Sequence, residues 1–123
     1  FSSPDAISPA PLASFPLTQQ KLAELAPDRS NSQLAALRVG RLADEGKMKH
    51  YHVSMIKRHN VNAALLGARK VRSMLGANGI TLEYQTIRHM CNLESVQTYE
   101  GTFEIHTLIL GEHLTGISAF GNA

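Results

Sequence analysis

Residues 48–75 read MKHYHVSMIKRHNVNAALLGARKVRSML, and their period decides the fold. Val53, Ile56, Val61, Ala64, Leu65, Ala68, Val71, Met74 and Leu75 recur at three- and four-residue intervals. That spacing stacks them on one face of an α-helix. Lys57, Arg58, Arg69, Lys70 and Arg72 lie largely opposite. Two readings of this basic run stand: a solvated helix face, or a contact with an anionic ligand. Gly76-Ala77-Asn78-Gly79 then ends the helix.

Outward from this segment the pattern stays helical. Leu17 to Ala26 forms a short helix in this reading, with Leu22 and Leu25 as its stripe and Thr18 as its cap. Pro27 interrupts it, and Asp28 to Ser32 is a polar linker. A second helix covers Gln33 to Glu45, with Leu34, Leu37, Val39 and Leu42 inward, and Gly46 closes it. Glu83 to Ser95 forms a helix with Ile87, Met90, Cys91 and Leu93 inward. The last helix, Thr102 to Gly116, buries Ile105, Leu108, Ile109 and Leu114, and Phe120 anchors the tail. No stretch alternates with period two over a useful length. The expected fold is all-α, an antiparallel bundle of four to five helices over residues 17–123. Residues 1–16 carry four of the five prolines and four serines, and read as an extended or disordered lead-in.

Composition narrows the function classes. The 123 residues allow one domain. Twelve Lys and Arg against ten Asp and Glu is too balanced for a nucleic-acid surface. No stretch approaches the ~20 apolar residues of a membrane span. The lone Cys91 forms no internal disulfide, reads as a small core residue, and fits a reducing compartment. Six histidines show no metal-ligand spacing, so no metal is expected.

Two segments carry chemistry. Gln97-Thr98-Tyr99-Glu100-Gly101-Thr102 sets one carboxylate between an aromatic ring and a glycine, just before an apolar helix. A carboxylate beside apolar surface loses hydration and becomes a usable base near neutral pH. The plainer reading is a favourable charge at a helix N-terminus. Gly76-x-Asn78-Gly79 exposes backbone N–H groups suited to a pyrophosphate. A helix C-cap has the same look.

Leu75 to Ile80, Glu83-Tyr84, Arg88-His89, Asn92-Leu93-Glu94 and Thr98 to Thr102 resemble the C-terminal helical domain of the acyl-CoA dehydrogenases, in order and in spacing. Ile105-His106-x-Leu108-Ile109-Leu110-Gly111 and Leu114-Thr115-Gly116-Ile117-x-Ala119-Phe120 are most similar to the glutaryl-CoA dehydrogenase branch. Short-chain acyl-CoA oxidases share much of this ending. Upstream, Pro11-Leu12-Ala13, Gln20 to Ala23 and Leu37-x-x-Gly40-Arg41-Leu42 continue the likeness.

The resemblance implies an FAD-dependent oxidoreductase acting on acyl-CoA thioesters. Glu100 would remove the α-proton while a hydride leaves the β-carbon for the flavin. The thioester oxygen would accept hydrogen bonds from the Glu100 N–H and the flavin ribityl chain. In glutaryl-type members the product then loses carbon dioxide, giving crotonyl-CoA. Tyr99 and Gly101 would line the substrate site. Thr102, Glu104, Gly76, Ala77 and Gly79 would meet FAD, the last three in the neighbouring subunit. Electron-transfer flavoprotein would accept the electrons. The assembly would be a homo-oligomer, tetrameric as in relatives, located in the mitochondrial matrix or the bacterial cytoplasm.

Four departures from the pattern bear on this. Ala77 replaces a glycine of the turn, which would strain a positive φ. Asp5 to Ala10 lacks the family's Arg and Phe-Gly pair. Pro27 falls inside the family's first long helix, and Glu112 replaces a basic residue. They motivate a second expectation, a truncated, non-catalytic relative serving as a helical assembly module.

Overall fold

The computed structural model describes residues 11–121; the Asp5–Ala10 departure lies outside them. A single 3-10 turn at Leu12–Ser14 leads into helix α1, Pro16–Asp44. Helix α2 is His50–Met74, α3 is Thr86–Thr98 and α4 is Phe103–Thr115. Two 3-10 turns, Gly76–Ile80 and Leu82–Tyr84, join α2 to α3. Among the described residues the fold is all-α, as the period of residues 48–75 indicates.

Helix α2 is the shared surface. Helices α1, α3 and α4 each pack mainly on it. Lys21 reaches Ser73 at 2.7 Å, Glu24 pairs with Lys70 at 3.0 Å, and Asn60 donates to the Ser32 carbonyl at 3.0 Å. Early residues of α1 thus meet late residues of α2, so the two run antiparallel. On α2's other side, Arg69 bonds Glu94 at 2.9 Å, Arg58 bonds Thr107 at 2.7 Å, and Tyr51 stacks on His113 with ring centroids 3.5 Å apart. Helices α3 and α4 therefore follow one antiparallel track along α2, interrupted at residues 99–102. Among the described residues the buried apolar side chains are few, Val39 and Leu65.

The break at Pro27 is overturned. Helix α1 runs from Pro16 to Asp44 with Pro27 inside it, and Asp28 to Ser32 is helical. Its half-buried and buried residues are Thr18, Lys21, Leu25, Ser32, Ala35, Val39 and Leu42. They fall on one heptad seam, spaced three and four apart except for one seven-residue step, Leu25 to Ser32, across the proline. Packing on α2 along this seam outweighs one lost backbone hydrogen bond, and exposed Pro27 faces away. Beside Pro27 the seam opens at Asp28 into a groove of about 550 Å³ between α1 and α2. The helix starts at Pro16 with extended Phe15 as N-cap, so Thr18 is not its cap, and Leu12–Ser14 form a 3-10 turn. Proline at the first helical position has no N–H to leave unpaired.

Other boundaries shift for local reasons. Glu83 belongs to a 3-10 turn, and Gln85 adopts φ +62 before α3 begins at Thr86. Cys91 is exposed, not inward. Leu34, Leu37, Ile105 and Leu114 are 63, 51, 40 and 80% exposed, and Phe120 is half exposed. Their apolar pattern exceeds the surface that α2 alone covers. Gly46, with φ +66, follows α1 as expected.

Pro27→Ala restores a backbone donor inside α1 at an exposed position. The expected outcome is a gain of about 1–3 kcal/mol in unfolding free energy, read from a denaturant titration with unchanged m-value.

Candidate functional site

The α3–α4 break is where local geometry is most constrained. Helix α3 ends at Thr98, and Tyr99 is extended. Glu100 then takes φ +55 and Gly101 φ +94. Thr102 caps α4, its hydroxyl accepting from the Ile105 N–H at 3.3 Å. A non-glycine residue with positive φ costs about 1–3 kcal/mol and persists where surroundings over-determine it. The surroundings here are specific. The Lys57 ammonium donates to the Tyr99 carbonyl at 2.6 Å and to the Gly101 carbonyl in a still shorter contact. The peptide group before Glu100 and the one after Gly101 are thereby tied to α2. Tyr99's ring lies 5.8 Å from the same ammonium.

His106 packs under this loop from α4. It is buried, and its Nδ1 bonds Ser54 Oγ of α2 at 3.1 Å. Its Nε2 has no hydrogen-bond partner and sits where a Cβ on Gly101 would come within 2.8 Å. Gly101 is thus required twice, by its φ and by the ring. Arg58 lies 4.3 Å from the centre of the Phe103 ring. Lys57, Arg58, Val61, Gln97, Phe103 and His106 close the space beneath the loop and leave no room for a water molecule. Burial, then the nearby Lys57 charge, hold the His106 pKa below its ordinary 6.5. The Glu100 and Gly101 carbonyls oppose this only in part. His106 is therefore a neutral spacer between α2 and the loop.

Glu100 and Tyr99 are exposed at the outer side of this loop, with Gly101 half-buried. The structure thus brings Tyr99, Glu100, Gly101, Thr102 and Glu104 together at one bend. Glu104 lies in the first turn of α4. Its own N–H and then the Thr102 hydroxyl hold its carboxyl below the ordinary value. Gly76, Ala77 and Gly79 lie at the other end of α3, whose 13 residues span about 20 Å. Gly76 has φ +59, while Ala77 is not among the positive-φ residues. The glycine-to-alanine departure is therefore free of the strain expected there. Gly76, Ala77 and Asn78 are exposed, so this turn offers backbone to a ligand. Gly79 is buried, and a Cβ there would run into the backbone carbonyl of Arg72.

Sequence reasoning missed Ser54, Lys57 and His106. Lys57 reads as part of a solvated basic face, and His106 as part of an apolar run. A signal existed. Ser54 and Lys57 are three apart on α2, and His106 is a polar residue among Ile105, Leu108, Ile109 and Leu110. Polar residues inside otherwise apolar faces mark a polar layer.

A positive-φ exposed carboxylate and an exposed glycine-bearing turn thus lie at opposite ends of α3 on one helical domain. Residues 6–115 match the acyl-CoA dehydrogenase C-terminal domain, and the chain belongs to that family. It is similar to glutaryl-CoA dehydrogenase from Mycobacterium smegmatis, with 50% identity, TM-score 0.88, and coverage of 92% of this chain and 29% of that one. A glutaryl-CoA dehydrogenase from Mycobacterium smegmatis in complex with FADH2 aligns at 45% identity and TM-score 0.87, over 90% of this chain and 29% of that one. The mitochondrial short-chain specific acyl-CoA dehydrogenase of Homo sapiens is 30% identical over 105 residues, 85% of this chain and 26% of the relative. The chain thus spans between 26 and 29% of these relatives.

Two outcomes follow from this geometry. Because the folded pKa of His106 is depressed, the unfolded state binds more protons below 6.5. Stability should be full above that pH and fall as the pH drops through 6.5, seen as a declining melting temperature. His106→Gln should flatten that decline. Gly79→Ala should lower the melting temperature by displacing the 76–80 turn from Arg72, whereas Ala77→Gly should leave it within about 1 kcal/mol.

Proposed function

We propose that this chain is the C-terminal domain of a glutaryl-CoA-dehydrogenase-like flavoenzyme, with Glu100 as its base. The observation that carries this reading is the Glu100 conformation. Lys57 holds the peptide group before it and the Gly101 carbonyl beyond it, Glu100 itself sits in a left-handed bend, and its side chain is left exposed. Strain of this kind concentrates at functional sites. A merely favourable helix-start charge needs no such bend. Likeness to glutaryl-CoA dehydrogenase over 92% of the chain supports the same reading.

The residues present fit an FAD. The exposed Gly76-Ala77-Asn78 turn leaves backbone groups open to a diphosphate. A Cβ added at Gly76 would meet nothing within 4 Å, so a ligand has room to approach. Thr102 and Glu104 lie beside the base, where an isoalloxazine edge would meet them. When bound, the flavin supplies a two-electron acceptor for the β-hydride.

The chain's own residues do the rest. Glu100 takes the α-proton of the acyl-CoA thioester. The α-C–H electron pair forms the new α,β double bond as the hydride departs. Charge that builds on the thioester oxygen falls to the Glu100 N–H, for which no acceptor occurs among the described residues. Tyr99 borders the acyl chain. Gly101 keeps the thioester approach free of a side chain. Electron-transfer flavoprotein is the proposed electron acceptor, and a mitochondrial or bacterial setting follows the relatives.

A homo-oligomer is part of this reading. Leu114 and Ile117, 80 and 75% exposed, need cover that α2 does not give. The assembly-module alternative loses one of its supports, since Pro27 does not break α1.

Glu100→Gln in the complete flavin-loaded protein should cut turnover of glutaryl-CoA by about a hundredfold to ten-thousandfold. Flavin absorbance should stay as in the parent. Turnover near the parent level would remove Glu100 from the base role.

A further inference from the structure

Lys57 does more than fill space. Among the described residues no carboxylate pairs with it, although α2's Arg69 and Lys70 both have one. Its ammonium is spent on two backbone carbonyls. One of these belongs to Tyr99, and the other end of that same peptide unit is the Glu100 N–H. A positive charge on a peptide oxygen draws electrons through the amide and makes its N–H a stronger donor. The Tyr99 contact is exposed and the Gly101 contact part-buried, so the effect grows when a bound substrate covers the loop.

We propose that Lys57 is a positioning residue for the reaction: its ammonium fixes the Tyr99–Glu100 peptide and polarises it, so that the Glu100 N–H stabilises the enolate oxygen of the thioester. This deepens the proposed function and rests on it. Two further observations agree. His106 packs against Gly101 so closely that any residue with a Cβ at 101 meets the imidazole. Lys57 also sits beside Ser54, His106's hydrogen-bond partner, so one turn of α2 holds the loop from both ends. The balance of the step is unchanged. The proton still moves from the α-carbon to Glu100, and Lys57 gains and loses none.

The test compares Lys57→Gln and Lys57→Arg in the complete flavin-loaded protein. Gln keeps an N–H donor for the loop but no charge, and Arg keeps the charge. The first readout is turnover. Lys57→Gln should lower kcat about tenfold with KM within about twofold, and Lys57→Arg should recover most of it. The second readout is a 3-oxoacyl-CoA, which ionises to an enolate in the site without turnover. Its enolate absorbance should titrate about one pH unit higher on Lys57→Gln than on the parent, and near the parent value on Lys57→Arg. A structural role alone would lower flavin retention and melting temperature in both variants without moving the enolate titration. An unmoved titration in Lys57→Gln overturns the proposal, whatever the turnover. Loss of the base reading is separate, since it shows as an active Glu100→Gln.

Discussion

The rest of this domain depends on one constraint: α2 is the surface on which every other helix is built. Helices α1, α3 and α4 each pack mainly on it. Each is also tied to it by polar contacts, at Lys70 and Asn60 for α1, at Arg69 for α3, and at Arg58 and Ser54 for α4. Such contacts are individually weak when exposed. Their value is register: they fix which turn of each helix meets which turn of α2. The loop at residues 99–102 inherits its position from that register, because α3 and α4 approach it along the same track.

The α3–α4 break shows why a bend can be more informative than the helices beside it. A continuous helix along this track would keep residue 100 in ordinary right-handed geometry. The chain instead places Glu100 at φ +55. Lys57 and His106 meet the loop from two helices, one through charge and one through bulk. The backbone of Glu100 is so held, while its exposed side chain is left open to a ligand. For the base role proposed above, a fixed backbone sets where the carboxylate starts from.

The all-α fold was legible because α2's period is long and strong, and α4's boundaries fell within a residue of expectation. Helix α1 was not read as one piece. Its seam holds Thr18, Lys21 and Ser32, so hydropathy sees two apolar patches instead of one heptad stripe. Proline then reads as a stop, although tertiary packing overrides it. The start of α3 was misplaced because Gln85 adopts a left-handed conformation that no local residue type announces. Glu100 stood out in the sequence, between an aromatic ring and a glycine. Its supports, Lys57 and His106, did not, because each lies far away in sequence and inside a pattern with a simpler explanation.

The burial pattern argues that this surface is meant to be covered. Helix α4 carries apolar residues on more than one face, Phe103, Ile105, Leu108, Ile109, Leu110 and Leu114, and packs mainly on α2. A helix with apolar residues on every face belongs in an interior. Leu114, Ile117 and Phe120 continue that surface beyond its end. Only two apolar side chains of the described residues are buried, Val39 and Leu65, which is a small core for a domain this size. The exposed apolar surface and the exposed Glu100 are two aspects of one arrangement. The bundle holds the Glu100 backbone from behind, and in the function proposed above whatever closes over its front would exclude water from the carboxylate.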